Sequence, residues 1–135
     1  MLRGSCLCGG VKYEIDGDVE IMANCHCSMC RKNHGAPFVT YVGVNTSQFR
    51  WVKGEDLVSK YQSSARGHRG FCRVCGSNVP MPTPGEEKLY IAAGTLDDDP
   101  KTHPQAHIFV ASKAPWVEIT DDLPQFDEYP PGFGS

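Results

Sequence analysis

Three things are scarce in this chain: long apolar runs, surplus positive charge, and an even number of cysteines. The opening stretch Met1-Leu2-Arg3-Gly4-Ser5-Cys6 has no apolar run of signal-peptide length, and no later segment approaches a membrane span. We therefore expect a cytoplasmic protein with no membrane partner. With 13 Lys and Arg against 16 Asp and Glu the formal charge is −3, so no nucleic acid partner is expected. Neither repeats nor low-complexity segments interrupt the 135 residues, a length that buries one modest core, and we read residues 1–135 as a single domain.

Turn formers and sulfur are plentiful instead. The 14 Gly and 10 Pro, with 40% hydrophobic residues, suit a globular chain of short strands and many turns. Residues 11–15, 37–44, 57–62, 89–93 and 106–110 each read as a strand, which makes the expected class mainly β. Ser28 to Asn33 reads as one short helix at most, with Ser28 as N-cap and Gly35 as stop. The tail from Pro124 to Ser135 is expected to be irregular and to lie on the surface, with Phe126 and Tyr129 packing down.

A reducing compartment keeps thiols free, and an odd number leaves one over in any set of disulfides, so the seven cysteines read as metal ligands. They fall as Cys6-x-Cys8, Cys25-x-Cys27-x-x-Cys30 and Cys72-x-x-Cys75. Tetrahedral zinc needs sulfurs about 3.8 Å apart, which residues two apart on a strand or three apart across a turn can supply. Neither outer pair completes a tetrahedron, so Cys6, Cys8, Cys72 and Cys75 together make a natural closed, structural site. Gly9, Gly10 and Gly76 follow these ligands and suit tight loops around a metal.

The middle cluster differs. Cys25, Cys27 and Cys30 supply three thiolates and leave a fourth position open, the arrangement that catalytic zinc uses. His26 or His34 is an alternative fourth ligand that would make this site structural too. Alternation turns His26 away from a face shared by Cys25 and Cys27, and His34 is better placed. Three buried, reduced cysteines without metal are the remaining alternative.

The segments Gly4-Ser5-Cys6-Leu7-Cys8-Gly9-Gly10, Cys25-His26-Cys27-Ser28-Met29-Cys30-Arg31-Lys32, Phe71-Cys72-Arg73-Val74-Cys75-Gly76-Ser77, Gly94-Thr95-Leu96-Asp97-Asp98 and Pro104-Gln105-Ala106-His107-Ile108 resemble the glutathione-dependent formaldehyde-activating enzymes. The resemblance implies a fold of small antiparallel sheets, described as Mss4-like. It implies two zinc ions, one structural on Cys6, Cys8, Cys72 and Cys75 and one catalytic on Cys25, Cys27 and Cys30. It also implies that glutathione binds at the second ion and that glutathione and formaldehyde give S-hydroxymethylglutathione.

The expected activity is accordingly that of a zinc-dependent carbon–sulfur lyase or synthase acting on a thiol–aldehyde adduct, with glutathione or a similar small thiol as partner. Arg31 is the candidate for binding a substrate carboxylate bidentately, whereas Lys32 reads as a solvated charge. His107 is a candidate for lining the pocket or donating a proton, against the alternative of a satisfied strand histidine. Asp97 is expected to fix its own turn, and Trp51 and Trp116 to pack, with Trp116 also a candidate aromatic wall. The rival class is a non-catalytic, zinc-stabilised protein-binding or adduct-carrier module.

Overall fold

The computed structural model of the chain describes residues 1–65 and 67–131. Among these the elements are β1 (Leu2–Ser5), β2 (Lys12–Ile15), β3 (Ile21–Cys25), α1 (Ser28–His34), β4 (Val39–Asn45), β5 (Phe49–Lys53), β6 (Val58–Gln62), β7 (His68–Cys72), β8 (Asn78–Val79), β9 (Lys88–Ala92) and β10 (His107–Ile108). The protein is mainly β, and α1 is its single α-helix among the described residues. No described helix is long and apolar enough to cross a membrane. The backbone forms two compact units, one of Met1–Glu20 with Val42–Thr102 and one of Ile21–Tyr41 with His103–Ser135.

In the first unit, β1-β2-β5 and β6-β7-β8 are antiparallel three-stranded sheets. Tyr13 pairs with Gly4 across β1 and β2, and a Cβ on Gly4 would lie 2.1 Å from the Tyr13 ring. Only glycine leaves room for that ring, whose hydroxyl lies 2.6 Å from Thr95 Oγ1 and whose ionisation burial pushes up to about 12. Cys6, Val11, Cys72 and Val79 are buried together, with Trp51, Leu57 and Val58 packed against them. Two of the metal-ligand candidates are therefore part of the apolar core.

Asp97 departs from expectation. Its carboxylate accepts from Ser5 Oγ at 2.8 and 3.0 Å and its N–H donates to Arg3 O at 2.7 Å, so it fastens β1 and does not fix its own turn. The local turn is made two residues on, where Asp99 Oδ1 accepts from the Lys101 N–H at 2.8 Å.

In the second unit β3 lies between β10 and β4, and β10 runs parallel to it, with His107 opposite Asn24 and Ile108 opposite Cys25. Over its described residues the tail is irregular and mostly exposed, as expected, and backbone bonds fasten it to β10. The His107 N–H donates to Pro124 O and the Phe126 N–H returns to His107 O, both at 2.9 Å, while the Val110 N–H donates to Phe126 O at 3.0 Å. A two-residue strand leaves an open edge, and the tail's backbone satisfies it. Tyr129 meets Phe109 edge-on with ring centroids 4.8 Å apart. The last tail residues, 132–135, lie outside the described residues.

The N-cap of α1 is Cys27, not Ser28: the Cys27 Sγ accepts from the Cys30 N–H at 3.2 Å. Gly35 ends the helix in the left-handed region at φ 61°, as its position predicts. The helix thus begins on one metal-ligand candidate and carries another, Cys30, in its first turn.

Candidate metal centres and their surroundings

In the first unit the Sγ atoms of Cys6, Cys8, Cys72 and Cys75 lie within 4.8 Å of one another, with Cys6 to Cys8 at 3.5 Å and Cys8 to Cys72 at 3.9 Å. Tetrahedral zinc with bonds near 2.3 Å sets sulfurs about 3.8 Å apart, so the donor set fits. Two glycines at positive φ, Gly9 at 76° and Gly76 at 78°, turn the loops back, their N–H groups donating to Cys6 O at 3.0 Å and Cys72 O at 2.7 Å. Backbone N–H groups also aim at sulfur, from Gly10 to Cys8 at 3.4 Å and from Val11 to Cys6 at 3.3 Å. The Ser77 side chain and N–H beside Cys75 hold that thiol down at about 5, so at least one member is a thiolate near neutrality. Ser77 Oγ also accepts from the Leu7 N–H at 2.8 Å, which links the two loops.

In the second unit Cys25 ends β3, Cys27 caps α1, and Cys30 is buried in the helix, with the three Sγ atoms within 4.8 Å of one another. No histidine or carboxylate joins that group among the described residues. Cys27 and Cys30, followed by burial, push the Cys25 thiol well above its ordinary range. All three thiols can ionise together only beside a cation, and three soft donors suit zinc.

Neither alternative fourth ligand closes the shell. His26 lies fully buried between two of the cysteines, but its Nε2 lies 2.8 Å from His107 Nδ1, and its ring faces Phe38 at a centroid distance of 4.9 Å. This is the alternation of an extended segment, with sulfurs on one side and imidazole on the other. His34 Nε2 lies 3.3 Å from the Tyr41 hydroxyl, and that hydroxyl donates to Cys30 Sγ at 3.4 Å. A tyrosine oxygen thus stands between His34 and the sulfur group.

His107 is 2% exposed, and its Nε2 lies 2.9 Å from Asp121 Oδ2. Its ring nitrogens are engaged by His26 and Asp121. An ionised Asp121 only accepts, so His107 carries a proton on Nε2; in neutral His107, Nδ1 then accepts from His26 Nε2–H. His26 Nδ1 is left as a buried lone pair with no hydrogen-bond partner. Burial first, then the charges of His107, Lys113 and Arg31, holds the His26 ionisation down at about 4.

Arg31 and Lys32 line a hollow with Gly35, Ala36 and Trp116. Trp116 does not pack as expected: it is 73% exposed, whereas Trp51 meets Phe49 edge-on at 4.9 Å. Tyr41 and Asp121 escaped the sequence reading. An aromatic in a strand reads as core, and Asp121 differs in no local pattern from Asp122 beside it.

The chain has recognisable relatives. Residues 1–112 match the family model for glutathione-dependent formaldehyde-activating enzymes. A Halomonas elongata protein, provisionally given that same activity by its name, is 30% identical over 127 residues, or 88% of this chain and 81% of that one. An uncharacterized lyase of Schizosaccharomyces pombe is 30% identical over 92 residues, 67% of this chain and 65% of that protein. A crystal structure of a Rhodobacter sphaeroides protein superposes with a TM-score of 0.59 at 25% identity, over 72% of this chain and 89% of that one.

Proposed function

Because the chain belongs to the family of glutathione-dependent formaldehyde-activating enzymes, we propose that it makes and breaks the adduct of glutathione with formaldehyde at Cys25, Cys27 and Cys30. The observation that carries this reading is a group of three sulfurs within 4.8 Å that no fourth histidine, cysteine or carboxylate joins among the described residues. The other four cysteines would hold a structural zinc ion in the first unit, and we take residues 1–135 as a single domain built of the two units. Cys25, Cys27 and Cys30 would hold a zinc ion, which would supply positive charge that favours the ionised form of an incoming thiol.

The chain's own residues do the rest. Tyr41 donates to Cys30 Sγ and steadies its charge, and Cys27 accepts the Cys30 N–H. His107 and Asp121 hold His26, and with it the extended Cys25-His26-Cys27 segment, so both thiols turn to one side. In this reading His107 is a positioning residue, because its ring is buried and engaged at both ends. Arg31, next to Cys30, meets a substrate carboxylate. In the reaction the thiol gives up its proton, sulfur attacks the carbonyl carbon, the C–O π bond opens, and the oxygen takes up one proton. The reverse path releases both reactants. We place the reaction in the cytoplasm, where glutathione is reduced.

Thiols add to formaldehyde unaided, so the test is a rate. Exchange between free formaldehyde and its glutathione adduct is measured by NMR, beside zinc per chain, for the native protein, Cys27→Ala and Cys72→Ala. We expect two zinc ions and accelerated exchange in the native protein, one zinc ion and background exchange in a folded Cys27→Ala, and loss of fold in Cys72→Ala. Acceleration by Cys27→Ala equal to the native protein, or unfolding as severe as that of Cys72→Ala, overturns the reading.

A further inference from the structure

We propose that residues 124–128 of the tail are a strap that positions the Cys25-His26-Cys27 segment, so that strap docking on β10 and zinc binding at the three-sulfur group strengthen each other. The inference rests on the reading of that group as a zinc site, which it deepens by naming what regulates its occupancy.

Strand β10 is two residues long, too short to hold itself in place. Successive backbone groups of a strand point to opposite sides, and the two sides of β10 have different partners. Towards β3, Ala106 O accepts from the Asn24 N–H at 3.0 Å and Ile108 O accepts from the His26 N–H at 2.9 Å. Away from β3, His107 gives both its backbone groups to the tail, its N–H to Pro124 O and its carbonyl to the Phe126 N–H, each at 2.9 Å. His26 is thus held twice, through its N–H by Ile108 and through its ring by His107. It stands between Cys25 and Cys27, so whatever fixes β10 fixes the direction of two of the three thiols.

The grip extends past β10. Phe109 follows the strand at φ 56°, in the left-handed region that is costly for a residue with a Cβ. This turn sends the next N–H groups to the tail, from Phe109 to Glu128 O at 3.1 Å and from Val110 to Phe126 O at 3.0 Å, and sets the Phe109 ring against that of Tyr129. Pro124 fixes its own φ, which reduces the entropy lost when the strap docks. Yet Pro124, Gln125, Asp127 and Glu128 are exposed and only Phe126 is half-buried, so little apolar area holds the strap down. Backbone bonds near solvent with few apolar contacts open before the rest of a domain. Strap opening therefore precedes unfolding, and it frees His107, then His26, then the two thiols. Coupling of this kind is reciprocal: zinc held more tightly by the docked form holds the strap down by the same factor. The match to the family ends at residue 112, so the strap lies beyond the stretch the family defines.

The test is Phe126→Pro in the full chain, which removes the N–H that His107 O accepts and leaves every side chain around the three sulfurs in place. Gln125→Pro is the control, because in a parallel bridge of His107 with Gln125 the groups of the flanking residues 124 and 126 face β10 and the Gln125 N–H faces away. Zinc affinities are measured by competition with a chelator, and amide-proton exchange is followed by NMR with and without zinc. In Phe126→Pro we expect the second zinc to bind about tenfold more weakly and the His26 amide proton of the metal-free chain to exchange about tenfold faster, with the first zinc changed by less than about twofold. Gln125→Pro should behave as the native chain. In the native chain, loading the second zinc should slow exchange of the Phe126 amide proton about tenfold. If Phe126→Pro fails to fold, Tyr129→Ala, which takes only the ring from Phe109, should move the second affinity and the His26 exchange in the same directions by about threefold. Equal effects of Phe126→Pro and Gln125→Pro, or Phe126 exchange indifferent to zinc, overturn the strap. A native chain that takes up only one zinc ion sinks the reading of the three-sulfur group, whereas two zinc ions with an unmoved second affinity in the folded variant sink the strap alone.

Discussion

The imidazole of His26 lies 2.8 Å from that of His107, nitrogen to nitrogen, in a position where both rings are closed off from solvent. A polar pair of this kind persists only because each end is satisfied, and the far nitrogen of His107 meets Asp121 at 2.9 Å. The pair sits on β10 and directly after β3, so it joins two neighbouring strands immediately behind the cysteine group. Removing His107 leaves His26 Nε2 buried without a partner and opens a cavity. His107→Ala should cost about 2–4 kcal/mol in urea unfolding, and Asp121→Asn, whose carboxylate is half exposed, distinctly less. Equal losses for the two variants would mean that the chain acts through Asp121 rather than through packing at His107.

The same pair sets a pH dependence. The folded His26 ionises at about 4 and its ordinary value is 6.5, so between these limits the unfolded chain binds a proton that the folded chain refuses. The stabilisation is complete above pH 6.5 and is lost as the pH falls through 4. Melting temperatures of the native protein and His26→Gln, measured across that window, should differ most above it and converge below. Parallel curves would show that His26 takes up its proton at the same pH in the folded and unfolded chain.

The cysteine groups were legible in the sequence because each cluster is local: ligands two or three residues apart meet through a turn that glycine or an extended strand supplies. Joining Cys6 and Cys8 to Cys72 and Cys75 needed only the arithmetic of incomplete tetrahedra. Strand β3, Ile-Met-Ala-Asn-Cys, was not legible, because it lies between two other strands and carries no clean alternation of apolar and polar residues. Strand β7 was masked by Gly70, where Val79 O would come within 3.0 Å of a Cβ. The tail's irregular, exposed course was legible, but its fastening to β10 was not, because that pairing uses backbone groups, which leave no trace in side-chain pattern. Asp121 acts on a residue 14 positions away, and no local spacing encodes such a partner.

Close approach of backbone makes one glycine indispensable. Gly54 has φ 79°, and a Cβ there would stand 1.9 Å from Gly10 O, two residues past Cys8. Gly85 has an equally left-handed φ of 86° and open space around it. Gly85→Ala should therefore cost about 1 kcal/mol of conformational strain. Gly54→Ala adds a backbone clash and should cost more than about 3 kcal/mol, with weakened metal binding at the four-cysteine centre. Thermal melts beside zinc retention on dialysis separate the two, and similar losses would place Gly10 further from Gly54 than the structure does.

Tyr41 and His34 give the sharpest test of the open position. The tyrosine hydroxyl donates to Cys30 Sγ and lies 3.3 Å from His34 Nε2, so the histidine meets a hydroxyl where a fourth ligand would meet the metal. If the oxygen steadies a ligand thiolate, Tyr41→Phe should lower the second zinc affinity about tenfold, the usual loss on removing an outer-shell donor. His34→Ala, which removes only a neighbour of that donor, should change it less. A histidine that itself completes the shell requires the opposite order, because loss of a direct ligand outweighs loss of a group behind one. Competition for zinc against a colorimetric chelator ranks the two variants, and replacing zinc with cobalt adds a second reading, since its visible bands respond to exchange of a nitrogen ligand and hardly to loss of a distant hydroxyl. A larger loss in His34→Ala together with a band shift would close the fourth position and turn the centre into a structural one.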